Sequence, residues 1–220
     1  MSLLSNFQQY IKQHHLFNQK DELLLAVSGG VDSVVLCELC HQAGYNFSIA
    51  HCNFKLRGAE SDRDENFVKE LAVKYNVEFY SQTFNTTEEV KNRKTSIEET
   101  ARDLRYEWFK EIQHSKFNIQ NGLYQTSYIL TAHHANDNIE TVLMNFFRGT
   151  GIKGLRGILP KQQKIIRPLL FAKRSEIENF ATENNLAFVT DSTNAQNEYT
   201  RNYFRNDIIP AIQKVFPQAE

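Results

Sequence analysis

Apolar and polar positions along the chain follow two periodicities in turn, which predict alternating strands and helices. A continuous apolar run at residues 23–27 is typical of a strand that is buried on both faces of a sheet. Further strands are predicted at residues 47–51, 77–84, 128–132 and 165–166. Apolar residues at helical spacing predict helices at residues 3–11, 32–41, 61–75, 96–109, 136–147, 174–184 and from 200 onward. This alternation indicates an α/β fold, in which helices cover both faces of a doubly wound parallel sheet.

The chain has 220 residues, of which 41% are hydrophobic and 12% aromatic, enough for one domain with its own core. The last predicted helices, at about 174–220, are expected to belong to this domain or to form a small appendage. The sequence contains no secretory segment and no apolar run of membrane-spanning length. We therefore predict a soluble, cytoplasmic protein without a membrane partner.

Cys37 and Cys40 form a C-x-x-C motif within a mostly apolar segment. Such a pair can be a redox couple or half of a metal or iron–sulfur site. No second C-x-x-C motif or Cys/His pair completes a tetrahedral site, and the apolar neighbours favour burial. We expect both thiols to pack in the core.

Basic residues are concentrated in one part of a chain whose net charge is only −1. Residues 141–175 contain no Asp or Glu, whereas the remainder carries 17 basic and 26 acidic residues. The basic side chains of this stretch are those of Arg148, Lys153, Arg156, Lys161, Lys164, Arg167, Lys173 and Arg174. The overall charge argues against a protein that coats nucleic acid, but the asymmetry indicates an anionic partner on one face.

A loop rich in glycine and hydroxyl groups lies between the first predicted strand and the following helix. Its residues are Ser28, Gly29, Gly30, Val31, Asp32 and Ser33. Backbone N–H groups and the positive end of a helix converge there, which predicts a phosphate site, and Asp32 can hold a magnesium ion beside it. The chain has no Walker A motif, and the G-x-G-x-x-G at residues 149–154 follows a helix rather than a strand, so a dinucleotide fold is rejected.

The six-residue loop closely resembles the PP-loop of the N-type ATP pyrophosphatases. Further segments resemble the tRNA(Ile)-lysidine synthetases of that superfamily, in order along almost the whole chain. They are HCNFKLRG at 51–58, ESDRDE at 60–65, ETARDLRY at 99–106, AHHANDNIET at 132–141, RGTGIKGL at 148–155, RPLL at 167–170 and RNYFR at 201–205.

This resemblance implies a Rossmann-like fold of the PP-loop ATP pyrophosphatase type, with ATP and Mg²⁺ as cofactors. The implied substrates are L-lysine and the isoleucine tRNA with a CAU anticodon. ATP would be cleaved between its α and β phosphates to adenylate the C2 carbonyl oxygen of the wobble cytidine. The ε-amine of lysine would then displace AMP and form lysidine.

The resemblance also implies a role for each matching residue. ATP would contact residues 28–33 together with His51 and Asn53. Asp32 and Asp137 would hold the metal ion and, with Arg205, act in catalysis. Lysine would be bound by Asp137, Glu140 and Arg102, because an ammonium group needs carboxylates in a partly desolvated pocket. The tRNA would meet Arg148, Lys153 and Arg156.

Two positions depart from the pattern of the family. Asn136 replaces a second acidic residue, and Phe54 stands where a histidine is common. The loss of charge at Asn136 leaves more of any cation binding to Asp137. The family often carries a C-terminal tRNA-binding region, which this chain, ending at Glu220, is expected to lack.

The residues themselves leave several alternative roles open. Asp137 and Glu140, which share one helical face, can also be a solvated helix start. His133 and His134 lack the spacing of a zinc motif. The arginine pairs 102/105 and 201/205 can clamp a phosphate or carboxylate, or form surface ion pairs.

Rival functions are another PP-loop tRNA modifier, such as a 2-thiocytidine synthetase, and a non-catalytic ATP-binding module. The oligomeric state is open, with a homodimer as one alternative.

Overall fold

The computed structural model describes residues 2–116, 127–190 and 200–216, and a six-stranded sheet lies at the centre of these ranges. Its strands are β1 (Glu22–Ala26), β2 (Phe47–Asn53), β3 (Phe79–Thr83), β4 (Ser127–Leu130), β5 (Lys161–Gln162) and β6 (Ile165–Ile166). The spatial order is β3-β2-β1-β4-β6-β5, and only β5 runs antiparallel to its neighbour. The predicted α/β class with a mainly parallel sheet is confirmed. Because the strand order changes direction at β1, the crevice beside its carboxyl end is where such sheets bind ligands.

Helices connect the strands and cover the sheet. They are α1 (Leu3–Gln13), α2 (Val31–Gln42), α3 (Ala59–Tyr75), α4 (Thr86–Arg93), α5 (Ile97–Lys116), α6 (Ala135–Phe147), α7 (Gly151–Gly154), α8 (Arg174–Glu183), α9 (Thr200–Tyr203) and α10 (Ile209–Val215). A π-helical turn, Phe204–Ile208, joins the last two. No helix in the described part of the chain is both long and apolar enough to cross a bilayer.

The sheet separates two apolar clusters because successive strand side chains point to opposite faces. Leu23 and Leu25 of β1 pack in the larger cluster with α1, α2, α3 and α8. Leu24, between them, packs in the smaller cluster with Phe109 and Ile112 of α5. This burial on both faces explains the continuous apolar run that predicted the strand.

Short or polar elements differ from the expectations drawn from periodicity. Helix α4 was not predicted, because Val90 is its only large apolar residue. Charge supports this helix instead, since Arg93 pairs with Glu89 at 3.1 Å and with Glu107 at 2.9 Å. The two-residue strand β5 and the one-turn helix α7 were also missed, because two to four residues are too few to show a period.

Candidate active site

The loop at residues 28–33 leaves the first turn of α2 open toward the carboxyl edge of the sheet. Gly30 is the N-cap of α2, and no side chain caps the helix. The first helical hydrogen bond runs from the Val34 N–H to the Gly30 carbonyl at 3.1 Å, so the N–H groups of Val31, Asp32 and Ser33 precede it. The Ser33 hydroxyl donates to the same carbonyl at 2.8 Å. This arrangement fits an anion such as a phosphate group.

Gly29 is held in a conformation and a space that suit only glycine. Its φ is +95°, and a Cβ atom would lie 2.7 Å from Cγ2 of Val189. The backbone N–H of Val189 donates to the Gly29 carbonyl at 3.0 Å. The segment that follows α8 therefore fixes the position of the loop at residues 28–33, here called the phosphate loop. Nothing in the sequence had pointed to Val189.

Asp32 faces the start of α6 across the crevice between β1 and β4. Nε2 of His134 lies 3.8 Å from Oδ1 of Asp32 and 3.6 Å from Oδ2 of Asp137. Burial raises the pKa of Asp32, although the charges of His134 and Arg174 oppose this. Its Oδ1 atom is buried and accepts no hydrogen bond in the part of the chain that the structure describes. An oxygen in this state fits a cation ligand.

The chemistry and the position of Asp32 and Asp137 fit a magnesium ion. Both are carboxylates, the ligands that Mg²⁺ prefers. Asp32 belongs to the open first turn of α2, and His134 lies within 4 Å of both carboxylates. The described residues contain no group of three or more His, Cys, Asp or Glu side chains placed to hold a metal. Such a site suits Mg²⁺, which usually takes one or two carboxylates and completes its shell with water and substrate phosphates.

Asp137 and Glu140 lie together on one face of α6, as their spacing predicted, and both contact Arg205. The Nε of Arg205 donates to Oε1 of Glu140 at 2.6 Å, and its second terminal nitrogen donates to Oε2 at 3.0 Å. The same nitrogen lies 3.3 Å from Oδ1 of Asp137. Three residues that the resemblance had assigned to catalysis or lysine binding thus form one cluster. Burial alone would raise the pKa of Asp137, but the charge of His134 and the hydrogen bond from its backbone N–H outweigh it and lower that pKa.

Glu140 is fully buried and already holds two guanidinium groups. Besides Arg205, Nε of Arg201 lies 3.3 Å from its Oε2, and Arg201 also donates to the Thr141 hydroxyl at 2.9 Å. A buried carboxylate needs such partners, because an unpaired charge in this position would be costly. Here Glu140 orients the two arginines. Asp137 accepts from the His134 N–H through Oδ2 and makes one long contact to Arg205 through Oδ1, so it keeps more capacity for a ligand.

His51 and Asn53 end β2 and are buried, and most of their polar atoms are engaged within the protein. Nδ1 of His51 pairs with the Val27 carbonyl at 2.8 Å. The Asn53 amide donates to Asp62 and Glu65, at 3.0 and 2.8 Å, and its oxygen accepts from the Lys55 N–H. Their contact with adenine stays a prediction, and their clear role is to shape the end of β2 beside the phosphate loop.

The remaining predicted residues lie apart from this cluster. Arg102 is on α5, where its guanidinium carbon lies 5.8 Å from the centre of the Tyr106 ring. Arg148, Lys153 and Arg156 are exposed beyond the carboxyl end of α6. Asn136, the departure from the family pattern, accepts a hydrogen bond from the Arg174 N–H at 2.9 Å and so connects α6 to the start of α8.

Both cysteines of the C-x-x-C motif are fully buried in α2, as expected for core packing. Burial raises the pKa of each thiol well above its usual range. A thiolate is the form that attacks sulfur or binds a metal, so this position disfavours redox and cluster chemistry.

Comparison with known proteins supports the same interpretation. A family model described as a PP-loop domain matches residues 3–212. The chain is 46% identical over 212 residues to a tRNA(Ile)-lysidine synthase from Bacteroides thetaiotaomicron, covering 96% of this chain and 48% of that protein. It is 43% identical to the tRNA(Ile)-lysidine synthase of Thermosipho africanus, covering 100% of this chain and 50% of the relative. The resemblance found from the motifs is confirmed, and the chain spans about half the length of these relatives.

Solved structures show the same fold at low sequence identity. The U34-tRNA thiolase NcsA from Methanococcus maripaludis superposes with a TM-score of 0.72 at 16% identity, over 98% of this chain and 74% of that one. An NH3-dependent NAD synthetase from Campylobacter jejuni superposes with a TM-score of 0.54 at 15% identity, over 97% of this chain and 83% of that one. These likenesses concern the fold alone.

Proposed function

Because the chain belongs to the PP-loop domain family, we propose that it is the catalytic part of a tRNA(Ile)-lysidine synthase. In this proposal it joins L-lysine to C2 of the wobble cytidine in the CAU anticodon of tRNA(Ile), with ATP as the energy source. The similarity to enzymes of that name over almost the whole chain supports it. The observation that carries it is a convergence at one edge of the sheet: the open phosphate loop, a buried Asp32 oxygen that accepts no hydrogen bond from the described residues, and the Asp137–Glu140–Arg205 cluster.

The phosphate loop binds and orients ATP in this mechanism. The N–H groups at the start of α2 donate hydrogen bonds to phosphate oxygens, and the positive end of the helix favours their negative charge. Asp32 and Asp137 would hold Mg²⁺, and the ion would neutralise the charge that develops on the leaving pyrophosphate. The guanidinium of Arg205, fixed by Glu140, lies beside Asp137 and stabilises the same charge.

The amino acid binds next to this cluster in the proposal. Asp137 meets the ammonium end of lysine, since its carboxylate is less completely used by protein partners than that of Glu140. Glu140 acts on lysine indirectly, by holding Arg205 and Arg201 in place. The amine must lose a proton before it attacks, and desolvation in this crevice lowers its pKa.

The deciding experiment measures pyrophosphate release with and without lysine and a CAU-anticodon isoleucine tRNA transcript. We expect release that depends on tRNA, and lysidine in the product that depends on lysine. Release that needs neither substrate, or no release at all, would contradict the proposal. A tRNA whose wobble cytidine is replaced by uridine is the matched control and should give no product.

Isothermal titration with lysine in the presence of a non-hydrolysable ATP analogue tests the amino-acid site. Asp137→Asn and Glu140→Gln should both weaken lysine binding more than ATP binding, and Asp137→Asn should have the larger direct effect. Unchanged lysine affinity in both variants would leave these residues with a metal-binding or purely structural role.

A further inference from the structure

Helix α6 leaves its apolar side chains incompletely covered. Eight of the 12 residues of α2 are buried, whereas the charged Glu140 is the only buried residue among the 13 of α6. Phe146 and Phe147, in the last turn of α6, are 62% and 67% exposed. Two adjoining aromatic side chains with this exposure indicate a binding surface, because water is a poor environment for both rings.

The two phenylalanine rings, here called the aromatic surface, have a defined arrangement. The centroids of the Phe146 and Phe147 rings lie 5.4 Å apart with their planes at 84°, and the Phe147 ring lies 5.8 Å from that of Phe204 in the π-helical turn. The next residue of that turn is Arg205, which pairs with Glu140 of the candidate active site. The turn that brings Arg205 to Glu140 therefore also supports the aromatic surface.

The aromatic surface lies near the candidate active site along the axis of α6. Phe147 follows Glu140 by seven residues, or two turns, so both lie on the same face of the helix about 10 Å apart along its axis. A base that reacts in the crevice has to leave its stack, and the bases beside it then lose a stacking partner. An aromatic ring at this separation can replace that partner.

The charge around the aromatic surface favours RNA over a second copy of the chain. Arg148, Lys153 and Arg156 follow the two rings in sequence and are exposed, and residues 141–175 contain no Asp or Glu. A two-fold interface between copies would place these positive charges against each other, which is unfavourable. Exposed aromatic rings beside basic side chains are instead the arrangement that binds single-stranded nucleic acid.

We propose that Phe146 and Phe147 stack on an unpaired base that flanks the reacting cytidine in the anticodon loop of the tRNA. Basic side chains contact the RNA backbone, whereas an aromatic ring contacts the face of a base. This stacking stabilises the loop conformation in which the cytidine has left its stack. The inference rests on the proposed function, because that function supplies a tRNA whose loop bases are unpaired.

Alanine replacement separates stacking on a base from contact with phosphate, when affinity for the tRNA transcript is measured at several salt concentrations. Phe146→Ala and Phe147→Ala should each lower this affinity by about 10-fold. The slope of log affinity against log salt should keep its parental value, because no positive charge is removed. Phe147→Tyr keeps an aromatic ring and should bind tRNA nearly as the parental protein does, whereas Phe147→Leu keeps only apolar volume and should not.

The matched control is Ile152→Ala, which removes an exposed apolar side chain without a ring next to the basic Lys153. It should bind tRNA with parental affinity. Phe146→Ala keeps the test decisive if Phe147→Ala, which also loses the contact with Phe204, does not fold.

A second measurement tests whether the partner of the rings is a base. Two transcripts are used, in which the nucleotide on the 5′ or on the 3′ side of the wobble cytidine lacks its base. One of them should bind the parental protein about 10-fold more weakly, and Phe146→Ala or Phe147→Ala should cause little further loss with that transcript. Removing either partner removes the same interaction, so the two losses should not add.

The inference is overturned if the folded alanine variants bind tRNA as the parental protein does, or if Phe147→Leu binds as tightly as Phe147→Tyr. Additive losses with both abasic transcripts would overturn it as well. Light scattering that shows a parental dimer and monomeric alanine variants would assign the aromatic surface to a second copy instead. A parental protein without tRNA binding and without tRNA-dependent pyrophosphate release contradicts the proposed function, so the two failures are distinguishable.

Discussion

The two ends of helix α6 use polar and apolar side chains in opposite ways. At the amino end, Glu140 is fully buried and paired with Arg205. At the carboxyl end, Phe146 and Phe147 are 62% and 67% exposed, and the basic residues that follow are exposed as well. The amino end is a fixed arrangement of charges over the edge of the sheet, suited to chemistry that needs preorganised groups. The carboxyl end is an open basic surface, suited to contact with a large anionic partner.

The largest expected effect tests the role of Asp32, which lies on α2 and faces the amino end of α6. Asp32→Asn should lower pyrophosphate release by about 100-fold or more, because the proposed metal ligand is lost where phosphate charge would develop. We expect the fold to be unchanged. Since burial raises the pKa of Asp32, the charged carboxylate destabilises the folded state above that pKa, and its removal should leave the unfolding free energy at pH 7 unchanged or higher.

Turnover and urea unfolding, measured on the same samples, check both parts of this prediction. Near-parental turnover at saturating ATP would remove Asp32 from the catalytic site. Lost turnover with a strongly reduced unfolding free energy would mean that Asp32 is structural.

The second prediction concerns the buried ion pairs that fix the amino end. Glu140→Gln should reduce the unfolding free energy by about 2 kcal/mol, because two guanidinium groups lose the charge that compensates them. This value lies below that of a fully buried pair, since the side chains of Arg205 and Arg201 are 25% and 41% exposed and partly solvated.

The matched control is Glu178→Gln, which breaks the exposed pair between Arg174 and Glu178. Its expected cost is below about 0.5 kcal/mol, because water screens both charges. Chemical denaturation of both variants measures the difference. Equal costs would show that burial of Glu140 adds nothing to the pair.

The third prediction concerns the basic surface beyond the carboxyl end of α6, and the salt dependence of tRNA binding tests it. Replacing Arg148, Lys153 and Arg156 together by Ala should decrease the slope of log tRNA affinity against log salt by about two to three, with ATP affinity nearly unchanged. Lys161 is left out, because its ammonium group donates to the Leu16 carbonyl at 2.9 Å and to the Tyr128 hydroxyl at 3.2 Å.

The control for this triple variant is the replacement of three exposed lysines on other helices, Lys12, Lys69 and Lys91. It removes the same charge but should leave the salt slope close to the parental one. An equal decrease in both triple variants would mean that tRNA responds to net charge alone and that the carboxyl end of α6 is no special docking surface.

Local patterns predicted the parts of this molecule that depend on neighbours in sequence. The apolar run of β1, the open loop after it and the shared face of Asp137 and Glu140 all follow from periods of a few residues. Pairings across long separations were not predictable. Arg205 meets Glu140 from 65 positions away, because only the folded chain places the π-helical turn against α6.

The same reason explains the positions that sequence reasoning left unassigned. Val189 packs on Gly29 because α8 packs on α2, and Arg167 is buried where β6 joins the sheet. A single sequence shows that an arginine is present but not which partner it finds. The glycine alone signals that close packing is required, without naming the residue that packs there.

The smallest expected effect is a pH dependence at the amino end of α6. Burial lowers the pKa of His133 from 6.5 to about 4, with Arg167, Arg201 and Arg105 opposing and Asp137 favouring its protonation. The unfolded chain therefore binds more protons than the folded chain between these two values, so stability contributed by neutral His133 grows as pH rises through this window. His133→Asn removes this pH dependence but loses the contact with the Thr131 hydroxyl at all pH values. Relative to the parental protein, the variant should thus be about 0.8 kcal/mol more stable at pH 6 than at pH 7.5. Urea unfolding at both pH values measures this difference, and Asp137, whose pKa is lowered, stays ionised at both. A stability difference between variant and parent that is the same at pH 6 and pH 7.5 would show that His133 is not held neutral by its surroundings.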